Sequence, residues 1–162
     1  MLSWPDEAAC SRDAASIASR AALANAFVEL HGPLGAGKTT FARHLLQALG
    51  VEGRIKSPTY ALMESYLADA THGSFAIAHF DFYRFDDPME WEDAGFREIF
   101  AARGLKLVEW PEKADGLLPP CDLRIVIAPR DVGCDSDGDS DGSGVRDVRF
   151  DALSPVGLEL LS

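Results

Sequence analysis

Residues 31–50, HGPLGAGKTTFARHLLQALG, hold a glycine-rich loop that only a few kinds of fold can accommodate. The pattern G-x-x-x-x-G-K-[ST] is satisfied by Gly32, Gly37, Lys38 and Thr39. The loop follows an apolar run at 26–32, which predicts a buried strand, and precedes an amphipathic segment at 38–49, which predicts a helix. Because a phosphate-binding loop requires this order of strand, loop and helix, the sequence predicts a nucleotide site here.

The residue types in the loop match the chemistry of a triphosphate. Gly35 and Gly37 lack a Cβ, so the backbone can curl with its N–H groups directed at a phosphate. Lys38 can reach the β- and γ-phosphates, Thr39 can offer a hydroxyl to magnesium, and the helix start adds the positive end of its dipole. The guanine-selecting pattern N-K-x-D is absent from the sequence. We therefore expect ATP and Mg²⁺ as the ligands.

Two carboxylates are expected at the same edge of a sheet as the loop. Asp81 ends the apolar run at 75–81, and Glu109 follows the apolar run LKLV. Open α/β sheets bind ligands at the carboxyl ends of their strands, and phosphoryl transfer needs a further carboxylate for the metal or the attacking water. We predict Lys38, Asp81 and Glu109 as catalytic residues and Thr39, Asp81 and Glu109 as metal ligands. His79 is predicted to be a neutral core histidine beside Asp81.

The alternation of apolar runs and amphipathic segments predicts an α/β fold. Further strands are expected at 60–67, 75–81, 105–110, 122–128 and 145–150, and helical pieces at 6–24, 88–93, 96–103 and 112–116. Ser3 is the predicted cap of the first helix, with Pro5 in its first turn. We expect a P-loop NTPase-like, three-layer α/β/α fold with a mostly parallel sheet and some antiparallel strands. Residues 1–162 are predicted to form a single domain.

The segment 133–144, GCDSDGDSDGSG, is predicted to be a mobile acidic loop because it has almost no apolar side chain to bury. Asp137, Asp139 and Asp141 precede Gly142 as in a calcium-binding loop. Position twelve of that pattern holds Val148 where calcium needs a glutamate, so a solvated linker is the favoured interpretation.

The formal charge of the chain is -11, which disfavours direct binding of nucleic acid by its own surface. Its cysteines, Cys10, Cys121 and Cys134, are odd in number and widely spaced, which is typical of a reducing compartment rather than of a disulfide framework. No apolar run approaches the roughly 20 residues that span a bilayer. We expect a cytoplasmic protein without a membrane segment.

Four blocks in order along the chain resemble a known family. They are LGAGKTT at 34–40, KSPTY at 56–60, HFDFYR at 79–84 and VEWPEK at 108–113. Together they resemble TsaE, the P-loop ATPase family of bacterial tRNA threonylcarbamoyladenosine synthesis, over about residues 6 to 128. The resemblance implies a Mg²⁺-dependent ATPase that supports TsaD-like and TsaB-like subunits of the modification complex. Contact with tRNA would then be made through those partners.

The resemblance also implies roles for individual residues. The phosphate-holding positions match Gly35, Ala36, Gly37, Lys38, Thr39 and Thr40. The magnesium positions match Thr39 and Glu109, with Asp81 close by. Ser57, Pro58 and Thr59 match a switch loop, and the hydroxyl of Thr59 is suited to sensing a γ-phosphate or its magnesium. Glu7, Glu112 and Arg130 match the adenine or ribose side.

Two other functions remain open from the sequence. A small-molecule kinase uses the same loop, but it also needs an acceptor pocket and a basic lid, and no arginine-rich lid segment is visible. A nucleotide-gated binding module would depend on the bound state more than on turnover. Multiple ATP turnovers with the partner subunits would favour the ATPase, and a single stably bound nucleotide would favour the gated module. A kinase would instead phosphorylate a small acceptor.

Overall fold

The computed structural model describes residues 2–71, 73–130 and 144–162. Within them, seven strands form one mixed sheet in the order β1-β7-β6-β2-β5-β4-β3. The strands are β1 (Leu2–Trp4), β2 (Phe27–His31), β3 (Met63–Ala70), β4 (Gly73–Asp81), β5 (Leu105–Glu109), β6 (Leu123–Pro129) and β7 (Arg146–Ala152). Strands β6, β2, β5 and β4 pair in parallel at the centre, and the outer strands pair antiparallel. The α/β class is confirmed, with a parallel centre and antiparallel margins.

Helices cover both faces of the sheet. They are α1 (Glu7–Ala18), α2 (Lys38–Ala48), α3 (Pro88–Asp93), α4 (Phe96–Ala101) and α5 (Pro155–Leu160), with 3₁₀ turns at Ala21–Asn25 and Pro111–Ala114. Apolar residues of α1, α2 and α5 share one core with Val28 and Leu30, whereas α3 and α4 share a second core with Phe27. Because neighbouring residues of a strand point to opposite faces, β2 contributes to both cores.

The glycine loop places the start of α2 at the carboxyl end of β2. Burial of both elements and glycines at both ends of the helix fix this arrangement. Four of the five residues of β2 are buried, as expected for a central parallel strand. Phe41, Leu45 and Leu49 follow one another at intervals of four residues, and all three lie in the core. Gly37 caps the helix start with φ +109°, and Gly50 follows its end with φ +80°, conformations that glycine adopts without steric cost.

The amino-terminal region differs from the prediction. The helix expected over 6–24 divides into α1 and a 3₁₀ turn. The cap is Asp6, whose side chain accepts a hydrogen bond of 2.8 Å from Ala9 N, whereas Ser3 lies in β1. Pro5 therefore precedes the cap and is not in the first turn. Strand β1 and helix α5 were missed because each is too short to show a hydrophobic period, and β1 exists through its pairing with β7.

The acidic loop predicted at 133–144 lies outside the described residues except for Gly144, as do Cys134 and the three aspartates of the calcium-like pattern. Among the helices that are described, none has the length and apolar character needed to cross a lipid bilayer.

Candidate functional site

The glycine loop between β2 and α2 forms an open cradle of backbone. Gly35 has φ +75° and Gly37 has φ +109°, so both occupy the left-handed region. At either glycine, the position that a Cβ would take has no other atom within 4 Å. The N–H groups of the loop lie at the amino-terminal end of α2, a helix of eleven residues. Backbone donors and the helix dipole favour an anion at that point. This arrangement of the backbone is suited to an anionic group.

Lys38 is folded back over this loop. Its Nζ donates hydrogen bonds to the carbonyl oxygens of Gly32 at 2.6 Å and Pro33 at 2.9 Å. The same atom lies 3.8 Å from the centre of the Trp110 ring, which makes a cation–π contact. Burial lowers the pKa of Lys38, while the negative charges of Glu109, Glu112 and Asp81 oppose that shift. The ammonium group is therefore held beside the cradle by two carbonyl oxygens and one aromatic ring, all of which are uncharged.

Asp81 and Glu109 meet next to the cradle. They are direct neighbours in the pairing of β4 with β5, at the carboxyl ends of both strands. The side chains are buried, with relative exposures of 3% and 1%. Thr39 Oγ1 donates to Glu109 Oε2 at 2.8 Å, which brings a hydroxyl and two carboxylates together. These are the oxygen ligands that Mg²⁺ prefers, so the residues present fit that ion.

The predicted switch segment is attached to Asp81. Thr59 Oγ1 donates to Asp81 Oδ2 at 3.0 Å, and the hydroxyl of Ser57 donates to the same oxygen. The other oxygen, Oδ1, accepts a 2.9 Å bond from Tyr83 N. Pro58 lies between the two hydroxyl residues and fixes its own φ. A change at Asp81 would therefore be transmitted directly to segment 57–59.

His79 is buried completely, as predicted for a core histidine, but its partner is Glu109. Its Nε2 lies 2.9 Å from Glu109 Oε1. The sequence placed it beside Asp81, its near neighbour on β4, because the register between β4 and β5 was not known.

A cavity of about 250 Å³ joins these groups. Its walls include the loop and the side chains of Thr39, Ser57, Thr59, Asp81, Glu109 and Trp110. A second cavity of about 440 Å³ lies on the other side of the loop and shares Ala36, Gly37 and Thr40 with the first. Trp4, Pro5 and Cys10 give this second cavity an apolar wall, which suits a flat aromatic base.

The structure brings only one of the three predicted adenine-side residues to this second cavity. Glu7 lines it and lies 2.9 Å from His44 Nε2. Glu112 lies instead in a separate cavity, with its Oε2 3.8 Å from His31 Nδ1. Arg130 is ion-paired with Asp147 on the surface. The roles of Glu112 and Arg130 at the base stay predictions without support from this placement.

Arg146 is a cavity residue that sequence reasoning missed. Its Nε donates to the carbonyl oxygen of Ala36 at 3.1 Å, and its side chain lines the second cavity. It lies at the start of β7, 110 positions after Ala36. No local spacing connects the two residues, because only the antiparallel pairing of β7 with β6 brings them together.

Comparisons with known proteins agree with the motif blocks. A sequence model of the family described as "Threonylcarbamoyl adenosine biosynthesis protein TsaE" matches residues 4–134. Proteins named tRNA threonylcarbamoyladenosine biosynthesis protein TsaE are similar to the chain in Haemophilus influenzae, with 46% identity over 100 residues, and in Bacillus subtilis, with 40% over 98 residues. These matches cover 62% and 60% of this chain.

The chain spans about three fifths of the length of these relatives, 61% and 58% respectively. Among solved structures, the crystal structure of YdiB from Bacillus subtilis superimposes with a TM-score of 0.69 at 27% sequence identity. That superposition covers 99% of this chain and 90% of the other.

Proposed function

The chain belongs to the family of threonylcarbamoyl adenosine biosynthesis protein TsaE, and on this basis we propose that it binds and hydrolyses ATP with Mg²⁺ in support of tRNA threonylcarbamoyladenosine synthesis. In this proposal the sheet is a P-loop NTPase-like core and the protein acts in the cytoplasm. The observation that carries the proposal is the hydrogen bond from Thr39 to Glu109 beside Asp81, directly at the mouth of the glycine loop.

Each residue of the site has its own role in the proposed phosphoryl transfer. Bound Mg²⁺ would supply positive charge to the phosphate oxygens, and Thr39, Glu109 and Asp81 are the groups that would hold it. Lys38 would exchange the carbonyls of Gly32 and Pro33 for phosphate oxygens, which are stronger acceptors because they are charged. In this proposal Glu109, which is buried at the end of β5, would also orient the attacking water molecule.

The partner subunits are part of the same proposal. We assign TsaD-like and TsaB-like proteins as the partners because the resemblance to the family implies them. We assign tRNA contact to these partners, because the charge of -11 disfavours binding of a polyanion by this chain. Leu34 at the cavity and Tyr60 next to the switch segment are exposed at 72% and 86%. Large apolar side chains at the mouth of the site are suited to contact with another protein.

A nucleotide-gated binding module is the second candidate. The bonds from Ser57 and Thr59 to Asp81 favour it, because they connect a surface segment to the group beside the phosphate cradle. Occupation of the cradle would then alter the surface offered to a partner without requiring turnover.

One experiment tests both candidates. The chain is mixed with purified TsaD-like and TsaB-like subunits, and Mg²⁺-dependent ATP hydrolysis and complex formation are measured together, with Lys38→Ala as the control. Several turnovers per chain, stimulated by the partners and absent in the control, support the ATPase. One stably bound nucleotide with complex formation supports the gated module. Absence of both stimulation and complex would overturn the partner role.

A further inference from the structure

We propose that His79 is a positioning residue for Glu109. Its Nε2–H fixes one carboxylate oxygen inside the sheet so that the other oxygen faces Thr39 and the cavity. This inference rests on the proposed function, since it concerns the carboxylate assigned there to magnesium or water. His79 itself does not line the cavity, so it acts only through Glu109.

The geometry separates the two oxygens of Glu109. Oε1 lies 2.9 Å from His79 Nε2, and Oε2 accepts the 2.8 Å bond from Thr39 Oγ1. His79 comes two residues before Asp81 on β4, so both side chains lie on the same face as Glu109. The histidine therefore approaches from the interior of the sheet and the threonine from helix α2. A carboxylate held at both ends has little freedom to rotate.

Burial explains why Glu109 needs such a partner. Glu109 is 1% exposed, and a buried carboxylate is costly unless hydrogen bonds compensate for the lost water. Thr39 reaches Glu109 from the side of the cavity, so its hydroxyl is also open to whatever the cavity holds. The bond from His79 does not depend on what the cavity holds, because His79 is fully buried. It is the permanent partner of the carboxylate.

The position of the ring proton follows from the partners. An ionised carboxylate can only accept a hydrogen bond, so the ring nitrogen that faces Glu109 is the donor. The other ring nitrogen, Nδ1, is buried and has no hydrogen-bond partner in the described part of the chain. An N–H there would be an unpaired buried donor, which is the more costly arrangement. The neutral imidazole with its proton on Nε2 satisfies both conditions.

If His79 served only to pack the core, no hydrogen-bond donor would be needed at the position of Nε2. Two amide variants separate that alternative from positioning. Glutamine can place its side-chain NH₂ near the location of Nε2, whereas asparagine reaches only as far as Nδ1. Both are neutral, polar and smaller than histidine, so they perturb the core in similar ways.

The test measures ATP affinity by calorimetry with and without Mg²⁺, and the steady-state rate, for the parent, His79→Gln and His79→Asn. We expect His79→Gln to stay close to the parent. We expect His79→Asn to bind metal-free ATP normally, but to lose about 10- to 100-fold in kcat and in the gain of affinity that Mg²⁺ provides, as is usual when the partner of a metal ligand is removed. Equal values for both variants and the parent would overturn the proposal.

A spectroscopic measurement on the parent chain does not depend on how the variants fold. The ¹⁵N shifts of the His79 imidazole are expected to show the proton on Nε2, and a proton on Nδ1 alone would overturn the proposal. The proposed function and the role of His79 are contradicted by different results. A parent that shows no Mg²⁺-dependent ATP binding contradicts the proposed function, whereas a parent that does, together with an unaffected His79→Asn, contradicts only the role of His79.

Discussion

Lys38 contributes a charge whose present partners are two carbonyl oxygens and one aromatic ring. Hydrogen bonds to a charged group contribute about 1.5–3 kcal/mol, so Lys38→Ala should raise the Kd for MgATP by about 10- to 100-fold. Calorimetry of the purified chain measures this directly. Lys113→Ala is the matched control, because Lys113 is exposed and its loss changes the net charge equally. Equal affinity in Lys38→Ala and the parent would refute the role of the lysine.

Glu109 is expected to affect turnover more than binding. The variant Glu109→Gln keeps the size of the side chain and should lower kcat by about 10²-fold or more, since it removes a carboxylate from the position of a base or metal ligand. The Kd for ATP without Mg²⁺ should change little. The comparison is with Glu112→Gln, whose carboxylate lies in another cavity. If the two variants lose activity equally, the assignment of Glu109 is incorrect.

At the scale of the elements, the junction between β2 and the loop is closely packed. Gly32 has φ +141°, and a Cβ there would overlap the carbonyl oxygen of Ile127 on β6. We expect Gly32→Ala to lower the free energy of unfolding by about 2–4 kcal/mol. Gly53→Ala is the control: its φ is +90° but no atom lies within 4 Å, so about 1 kcal/mol is expected. Urea unfolding gives both values, and equal losses would contradict the packing argument.

At the scale of the elements, the sequence predicted the features that depend on local patterns of residues. The order of β2, loop and α2 follows from spacing and glycine content, and Asp81 and Glu109 were found because each ends an apolar run. The contacts of Arg146 and His79 were not predictable, because they depend on the pairing of strands distant in sequence. Long-range register leaves no local signal in a single sequence.

At the scale of the whole molecule, two buried thiols connect pH to stability. Cys10 and Cys121 lie in the two cores, and burial raises the pKa of each from 9.0 to about 12. Between these values the unfolded thiol loses its proton while the folded thiol keeps it. Stability from this source is therefore fully present below pH 9.0 and is lost as pH rises toward 12.

The expected result is a fall in unfolding free energy above pH 9.0, of up to about 1.4 kcal/mol per pH unit for each thiol. The fall should be shallower in the double variant Cys10→Ala, Cys121→Ala. Urea unfolding of both proteins from pH 8 to 10.5 measures the two slopes. Parallel slopes would show that these thiols do not cause the loss.

The central claim is that backbone amides of residues 35 to 40, with Lys38 and the start of α2, hold the tail of ATP. A crystal structure of the chain with a non-hydrolysable ATP analogue and Mg²⁺ tests it most directly. We expect the triphosphate in the loop, within hydrogen-bonding distance of those amides, and the Lys38 ammonium moved from the carbonyls of Gly32 and Pro33 onto phosphate oxygens. An analogue bound elsewhere, with Lys38 still on both carbonyls, would contradict the account.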